Sequence, residues 1–259
     1  MTMKKGKKTA LIIILVIAAA TACYFGIKVA GYLLEQNAAE KDVQEIRARL
    51  EIAVKEREDL SALAEQYRML NEENKDFAGW IRLPAAQIDY PVMKPPESDP
   101  EYYLRRNFER EWSSTGTPFF SNVSDPVKPT EALIIYGHRN QAGNMFEGLY
   151  GLLKEEVWEE PFTVNLDTLT HRLWYRPAFL IKTQVTDSAG FAYWNISDFA
   201  GKGDFNIFID ECRQRASFSK GAMPVYGDEI LILSTCEYSK KEGRLLLVCT
   251  LADRQSYEG

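Results

Sequence analysis

A chain of 259 residues with 46% hydrophobic and 12% aromatic content can build one sizeable core with accessory segments, which excludes a largely disordered protein. The net charge of −6 is unevenly spread: the first eight residues hold four lysines and no acid, and the other 27 bases face 37 acids, a net of −10. An acidic main body argues against nucleic acid as a partner, because phosphate binding leans on clustered Lys and Arg.

From Thr9 to Ile27 no residue is charged, and Ala10 to Ile17 is strongly apolar. A helix of this length, rising about 1.5 Å per residue, spans a hydrocarbon core of about 30 Å. Lys4, Lys5, Lys7 and Lys8 ahead of it favour a cytoplasmic N-terminus, which places everything after Lys28 outside. A cleaved signal peptide is the rival reading, given the small residues Ala18 to Ala22 before Cys23. The apolar run continues through Tyr24, Phe25 and Ile27, so an uncleaved anchor is the reading adopted.

Glu35 to Phe77 contains neither Gly nor Pro, and Val43, Ile46, Leu50, Ala53, Arg57, Leu60, Ala64 and Tyr67 recur at spacings of three and four. That is one apolar stripe on a helix ending near Asn71 to Asn74. It serves either as a coiled-coil stalk or as a helical spacer packed on the domain that follows. Ala53, Arg57 and Ala64 make a poor dimer seam and favour the spacer.

From Trp80 onward short β-type runs are punctuated by Pro, Gly and Asp. Strands are expected at Gly79–Leu83, Tyr90–Val92, Pro118–Phe120, Ala132–Tyr136, Phe162–Leu166, Arg172–Val185, Ile230–Ser234 and Leu245–Leu251. So many short strands predict a closed barrel or sandwich. Helical patterns interrupt them near Gly143–Leu153 and Phe205–Phe218. More than forty residues separate Val185 from Ile230, and they are loaded with aromatics, among them Phe191, Tyr193, Trp194 and Phe199. Asp204 is the expected cap of a helix there, with Ile207, Phe208 and Glu211 on its packed face.

Two histidines and four cysteines, with no Cys-x-x-Cys or His-x-x-x-His pair, predict neither a metal nor a cofactor. Cys212 sits in the helical stretch Ile209-Asp210-Glu211-Cys212-Arg213 and Cys249 in the apolar strand Leu246-Leu247-Val248-Cys249; both read as small buried thiols, and nothing supports a disulfide between them. His171 reads as a surface residue at a strand start. Cys236 closes the run Ile230-Leu231-Ile232-Leu233-Ser234-Thr235, and His138 closes Leu133-Ile134-Ile135-Tyr136-Gly137. A nucleophile needs a rigid mount with one open face, which a strand end supplies. The glycine before His138 lets the strand stop abruptly and another chain approach. A lone His or Cys is more often structural than catalytic; their matched placement makes both readings viable.

Tyr136-Gly137-His138 followed by Met145-Phe146 and Leu149 resembles the histidine motif of class B sortases. Leu233-Ser234-Thr235-Cys236 with Arg244 eight positions later resembles their cysteine-to-arginine motif. Gly79-Trp80-Ile81, Ile88-Asp89-Tyr90-Pro91-Val92 and Tyr102-Tyr103-Leu104 occur in the family's order, and the likeness spans residues 70 to 252. Ile232 departs from it, standing where the family has Thr, and 116–121 is a looser match.

The resemblance implies a mainly β protein with a closed eight-stranded sortase-type barrel and added helices. It divides the chain into a cytoplasmic basic tail (1–8), a transmembrane helix (9–30), a helical stalk or spacer (31–76) and a catalytic domain (77–259). It implies a single-pass membrane protein of Gram-positive bacteria, its catalytic domain extracellular, that cleaves a C-terminal sorting motif of secreted proteins. Cys236 is the implied nucleophile, His138 the general acid and base, and Arg244 the cation that steadies the oxyanion. Arg139 is the rival cation. An amine of the peptidoglycan cross-bridge is the implied acceptor. Leu104, Tyr136, Tyr193, Ser234 and Glu237 are implied to line the substrate groove, with Tyr193 and its neighbours selecting the motif. A pilin-type polymerase acting on a protein lysine and a silent membrane scaffold are the alternatives.

Overall fold

The computed structural model describes residues 5–57, 60–128, 130–139, 144–185, 191–221, 223–237 and 242–257. Helix α1 (Lys5–Arg57) is followed by α2 (Leu60–Glu73) and then by strands β1 (Phe77–Leu83), β2 (Ile88–Met93), β3 (Phe119–Phe120), β4 (Ala132–Tyr136), β5 (Val164–Thr168) and β6 (His171–Gln184). Helix α3 (Lys202–Arg215) precedes β7 (Ala216–Ser219), β8 (Ile230–Glu237) and β9 (Gly243–Ser256). The strand order β5-β1-β2-β3-β4-β8-β9-β6 closes through a β5–β6 pairing, so eight strands form a barrel and β7 adds to β6 from outside.

The barrel wall explains the texture of the sequence. Side chains alternate across a strand. Leu133 and Ile135 of β4, Leu231 and Leu233 of β8, and Leu245 and Leu247 of β9 belong to one core. Their neighbours Ala132, Ile134, Ile230, Ile232, Leu246 and Val248 belong to a second, beneath α3 and the aromatics Phe191, Tyr193 and Phe199. Both faces are buried, so these strands read as unbroken apolar runs, as parallel strands covered on both sides do; β4 and β8 are indeed parallel. Pro177 cannot donate to a ladder, and the β6–β9 register shifts beside it.

The long helix read from Glu35 to Phe77 is two helices, with residues 58 and 59 outside the described residues. Its stripe is used within the chain. Ile46 and Leu50 of α1 and Leu63, Tyr67 and Leu70 of α2 share a core with Phe77, Trp80, Met93 and Tyr103. Each such side chain contributes about 1.5–3 kcal/mol by leaving water. The side chains of Ala53 and Arg57 lie outside the described residues. Toward the N-terminus α1 holds an apolar stretch long enough to cross a membrane. Its large side chains from Leu11 to Leu34 are all exposed.

Four sequence expectations are corrected. The helix near Phe205–Phe218 ends at Arg215, and Ala216–Ser219 is strand β7. Its N-cap is Gly201 rather than Asp204; Asp204 lies in the first turn, where its carboxylate accepts the Ala200 N–H at 3.2 Å. Its packed face is Phe205, Phe208, Ile209 and Cys212, while Ile207 points to solvent. The pattern near Gly143–Leu153 forms a 3-10 helix, Phe146–Leu153; residue 143 lies outside the described residues.

Candidate active site

Three adjacent strands set the site. In the β4–β8 register Tyr136 faces Ser234, and the Gly137 N–H donates to the Ser234 carbonyl at 3.1 Å. The chain therefore leaves β4 alongside the Cys236 end of β8, with His138 next. In the β8–β9 register Cys236 lies directly opposite Arg244. Topology thus brings His138, Cys236 and Arg244, 106 positions apart at their extremes, to one edge of the barrel. The Cys236 and Glu237 side chains lie outside the described residues, so their placement here is that of the backbone.

His138 is held from three sides. Its carbonyl accepts the Phe146 N–H at 2.9 Å. Gly137 packs on the buried Phe146 ring so closely that an added Cβ would fall 2.4 Å from it, which is why glycine stands there. Met145, held at φ 57°, donates its N–H to the Tyr90 hydroxyl at 3.1 Å. The imidazole Nε2 lies 2.7 Å from the Leu104 carbonyl. A carbonyl can only accept, so this contact puts a proton on Nε2 and leaves Nδ1 as the basic nitrogen of the neutral ring. Burial pushes the His138 pKa below its ordinary 6.5; the Leu104 carbonyl opposes this and the Arg105 charge adds to it.

A groove of about 430 Å³ opens over this edge, lined by His138, Arg244, Leu104, Tyr136, Tyr193 and Ser234 among others. Six of the eight sequence-derived site residues therefore share one cavity. Two of them are floor: Tyr193 and Ser234 are each 1% exposed and hydrogen-bond each other at 2.9 Å. Tyr136 packs on Phe119 at 5.6 Å between ring centres, and burial raises its phenol pKa. Arg244 is half-buried, bonds only the Gly243 carbonyl at 2.9 Å and pairs with no carboxylate among the described residues. Arg139, the rival cation, is turned to Glu147 at 2.6 Å and covers the Tyr150 ring at 3.7 Å; it does not line the groove.

The sequence did not single out Glu101, Phe119, Asn122 or Asn195, which also line the groove. Glu101 immediately precedes the 3-10 turn that carries Leu104, a cue to its place. Ile232, the departure from the family pattern, is fully buried beneath α3, two residues before Ser234 on the same face of β8, and does not itself line the groove. Cys212 and Cys249 are free, fully buried thiols whose pKa burial pushes up.

No family model matches the chain. It is 24% identical over 229 residues to "Sortase B" of Staphylococcus aureus, covering 88% of this chain and 90% of that protein. It is 26% identical over 189 residues to "Sortase B" of Listeria monocytogenes, covering 71% and 72%. Among solved structures, the S. aureus sortase B–substrate complex superposes with a TM-score of 0.74 at 24% identity, covering 85% of this chain and 99% of that one. The fold is that of the sortase B proteins. A mutant form of Clostridium perfringens sortase B gives 0.73 at 22% identity, covering 83% and 98%. Sortase B of B. anthracis in complex with AAEK2 gives 0.64 at 28% identity, covering 73% and 84%. The relatives and the structural neighbours together support a function within the sortase family.

Proposed function

We propose that the chain is a membrane-anchored cysteine transpeptidase that joins secreted proteins to an amine of the cell wall. The supporting observation is the convergence of His138 and Arg244 on one groove, with Cys236 opposite Arg244 in the strand register and no carboxylate paired with Arg244 among the described residues. Residues 1–8 form the cytoplasmic tail, 9–30 the span, 31–76 the spacer and 77–259 the catalytic domain. The domain stands outside the cell.

In this reading Cys236 loses its proton to His138, and the thiolate attacks the Thr carbonyl of a sorting motif laid in the groove. The carbonyl π electrons move to oxygen, where the Arg244 guanidinium meets the new negative charge. Collapse of the adduct breaks the C–N bond, and the imidazolium gives its proton to the departing amine. An incoming amine then attacks the thioester, His138 takes its proton, and Cys236 leaves as thiolate as the new amide forms. The pulled-down His138 pKa favours the neutral base that starts this sequence and makes the imidazolium a ready acid. Leu104 and Tyr136 form walls of the groove; Tyr193 and Ser234 brace its floor, and Trp194 and Asn195 carry the Tyr193 segment to its edge. Glu237 is assigned to the same wall from the family pattern.

A panel of short peptides with different sorting motifs, incubated with the protein and a small amine, tests this by mass spectrometry. Cleavage at one peptide bond with the amine joined to the new carboxyl end supports transpeptidation. Peptide turnover that yields only hydrolysis, whatever amine is supplied, would refute the transfer step.

A further inference from the structure

The apolar surface of α1 and the hairpin that leaves the groove meet at one level. Large apolar side chains of α1 stay exposed from Leu11 through Leu34, a helix length of about 35 Å at ~1.5 Å per residue. That slightly exceeds a hydrocarbon core of about 30 Å; with the exposed Lys28 extending its ammonium up to the headgroups, Tyr32, Leu33 and Leu34 fall in the outer interface and Glu35 at its rim. The Glu35 carboxylate accepts the backbone N–H of Ser114 at 2.8 Å. Two turns further from the bilayer, the Asp42 carboxylate accepts the Asn107 amide at 3.3 Å.

These two bonds seat the 105–114 hairpin along α1 with its Ser114 end toward the membrane. The hairpin is closed by Ser113 N–H donating to the Arg105 carbonyl at 3.0 Å and by the Arg106–Trp112 bridge. Trp112 is two residues from Ser114, hence within about 7 Å of it along the chain. It is 62% exposed, and no aromatic side chain among the described residues is more so. An indole left uncovered by protein, at the height where a span leaves the bilayer, has the amphipathic character of interfacial tryptophans. Arg105 is exposed on the facing strand of the hairpin, with its guanidinium on the Ser114 carbonyl at 2.7 Å, suitably placed for lipid phosphate.

We propose that Trp112 and the 105–114 hairpin lie in the outer interface of the bilayer that α1 crosses, as a second membrane contact. The inference rests on α1 being a membrane anchor and goes beyond it. A single helix fixes only proximity; a second contact fixes the orientation of the domain. Leu104, whose carbonyl holds His138, directly precedes the hairpin. The groove is thereby held open along the membrane surface at a set height.

The test uses the full-length chain in phosphatidylcholine–phosphatidylglycerol vesicles, with Cys23→Ser and Cys236→Ala removing the other reactive positions. A fluorescent label is placed at Trp112→Cys, at Val225→Cys, which is equally exposed but precedes β8 at the end away from the groove, and at Leu15→Cys. The expected result is several-fold stronger quenching of the Trp112→Cys label by headgroup-proximal nitroxide lipid than of the Val225→Cys label, with protection from aqueous iodide. Identical behaviour at 112 and 225, with Leu15→Cys quenched by lipid, overturns the proposal and spares the anchor. An aqueous label at Leu15→Cys overturns the anchor and the proposal together.

Discussion

Asp167 and Arg244 are both charged side chains set against the barrel wall, and the protein treats them in opposite ways. The Asp167 carboxylate is fully buried, and it accepts from the Tyr67 hydroxyl at 2.7 Å, from Arg82 at 2.5 Å and from Arg172 at 2.8 Å. Burial alone would raise its pKa; Arg172, Arg82 and Tyr67 more than reverse that, and it ends below the ordinary 3.8. Those partners come from α2, β1 and β6, so one ion locks the helical spacer to the wall. Among the described residues Arg244 bonds only the adjacent Gly243 carbonyl, and it opens onto the groove. Where rigidity is required the charge is closed within the protein. At the groove, where the proposed substrate would arrive, no carboxylate among the described residues compensates the charge, and its half-buried site screens it less than bulk water does.

The comparison makes opposed predictions for two variants. Arg244→Ala should lower turnover of a cleaved peptide about 10²–10³-fold, the usual cost of removing one oxyanion donor, with an unchanged thermal midpoint. Asp167→Ala should cost about 3–5 kcal/mol of stability, because two arginines and a tyrosine lose their buried partner, while turnover per folded molecule is kept. Chemical denaturation and single-peptide kinetics on both proteins check this. A destabilised Arg244→Ala with normal turnover would erase the distinction.

A smaller effect concerns pH. With its folded pKa below 6.5, His138 takes up its proton later than it does in the unfolded chain as pH falls. The stability owed to the neutral ring is complete above 6.5 and is lost as pH drops from there through the folded pKa. His138→Asn should flatten that part of the stability curve, and the His138 ring resonances of the native protein should titrate with a midpoint under 6.5. Asp167 adds a separate loss at lower pH, as the medium falls through its depressed pKa.

Much of the groove was readable because its residues end apolar runs. β4 was bounded to the residue, since Ala132–Tyr136 is flanked by a charged Glu131 and by Gly137. His138 and Arg244 stand at the polar edges of such runs. The Asp167 clamp was not legible: of its three partners only Arg172 is local, Tyr67 and Arg82 lie 100 and 85 positions away, and a lone aspartate in a strand looks like any solvated one. Glu101 and Asn195 escaped notice because they enter the groove from irregular segments, whose path is set by tertiary packing. β7 was absorbed into the preceding helix because its four residues follow α3 with no breaker between Arg215 and Ala216.

If Cys236 carries the acyl group, the thioester intermediate can be trapped on it. The protein is incubated with a cleavable sorting peptide without amine, quenched in acid, digested and read by tandem mass spectrometry. The expected product is the N-terminal peptide fragment attached through a thioester at Cys236, absent from Cys236→Ala along with all cleavage. An adduct on Ser234, or cleavage that persists in Cys236→Ala, would contradict it.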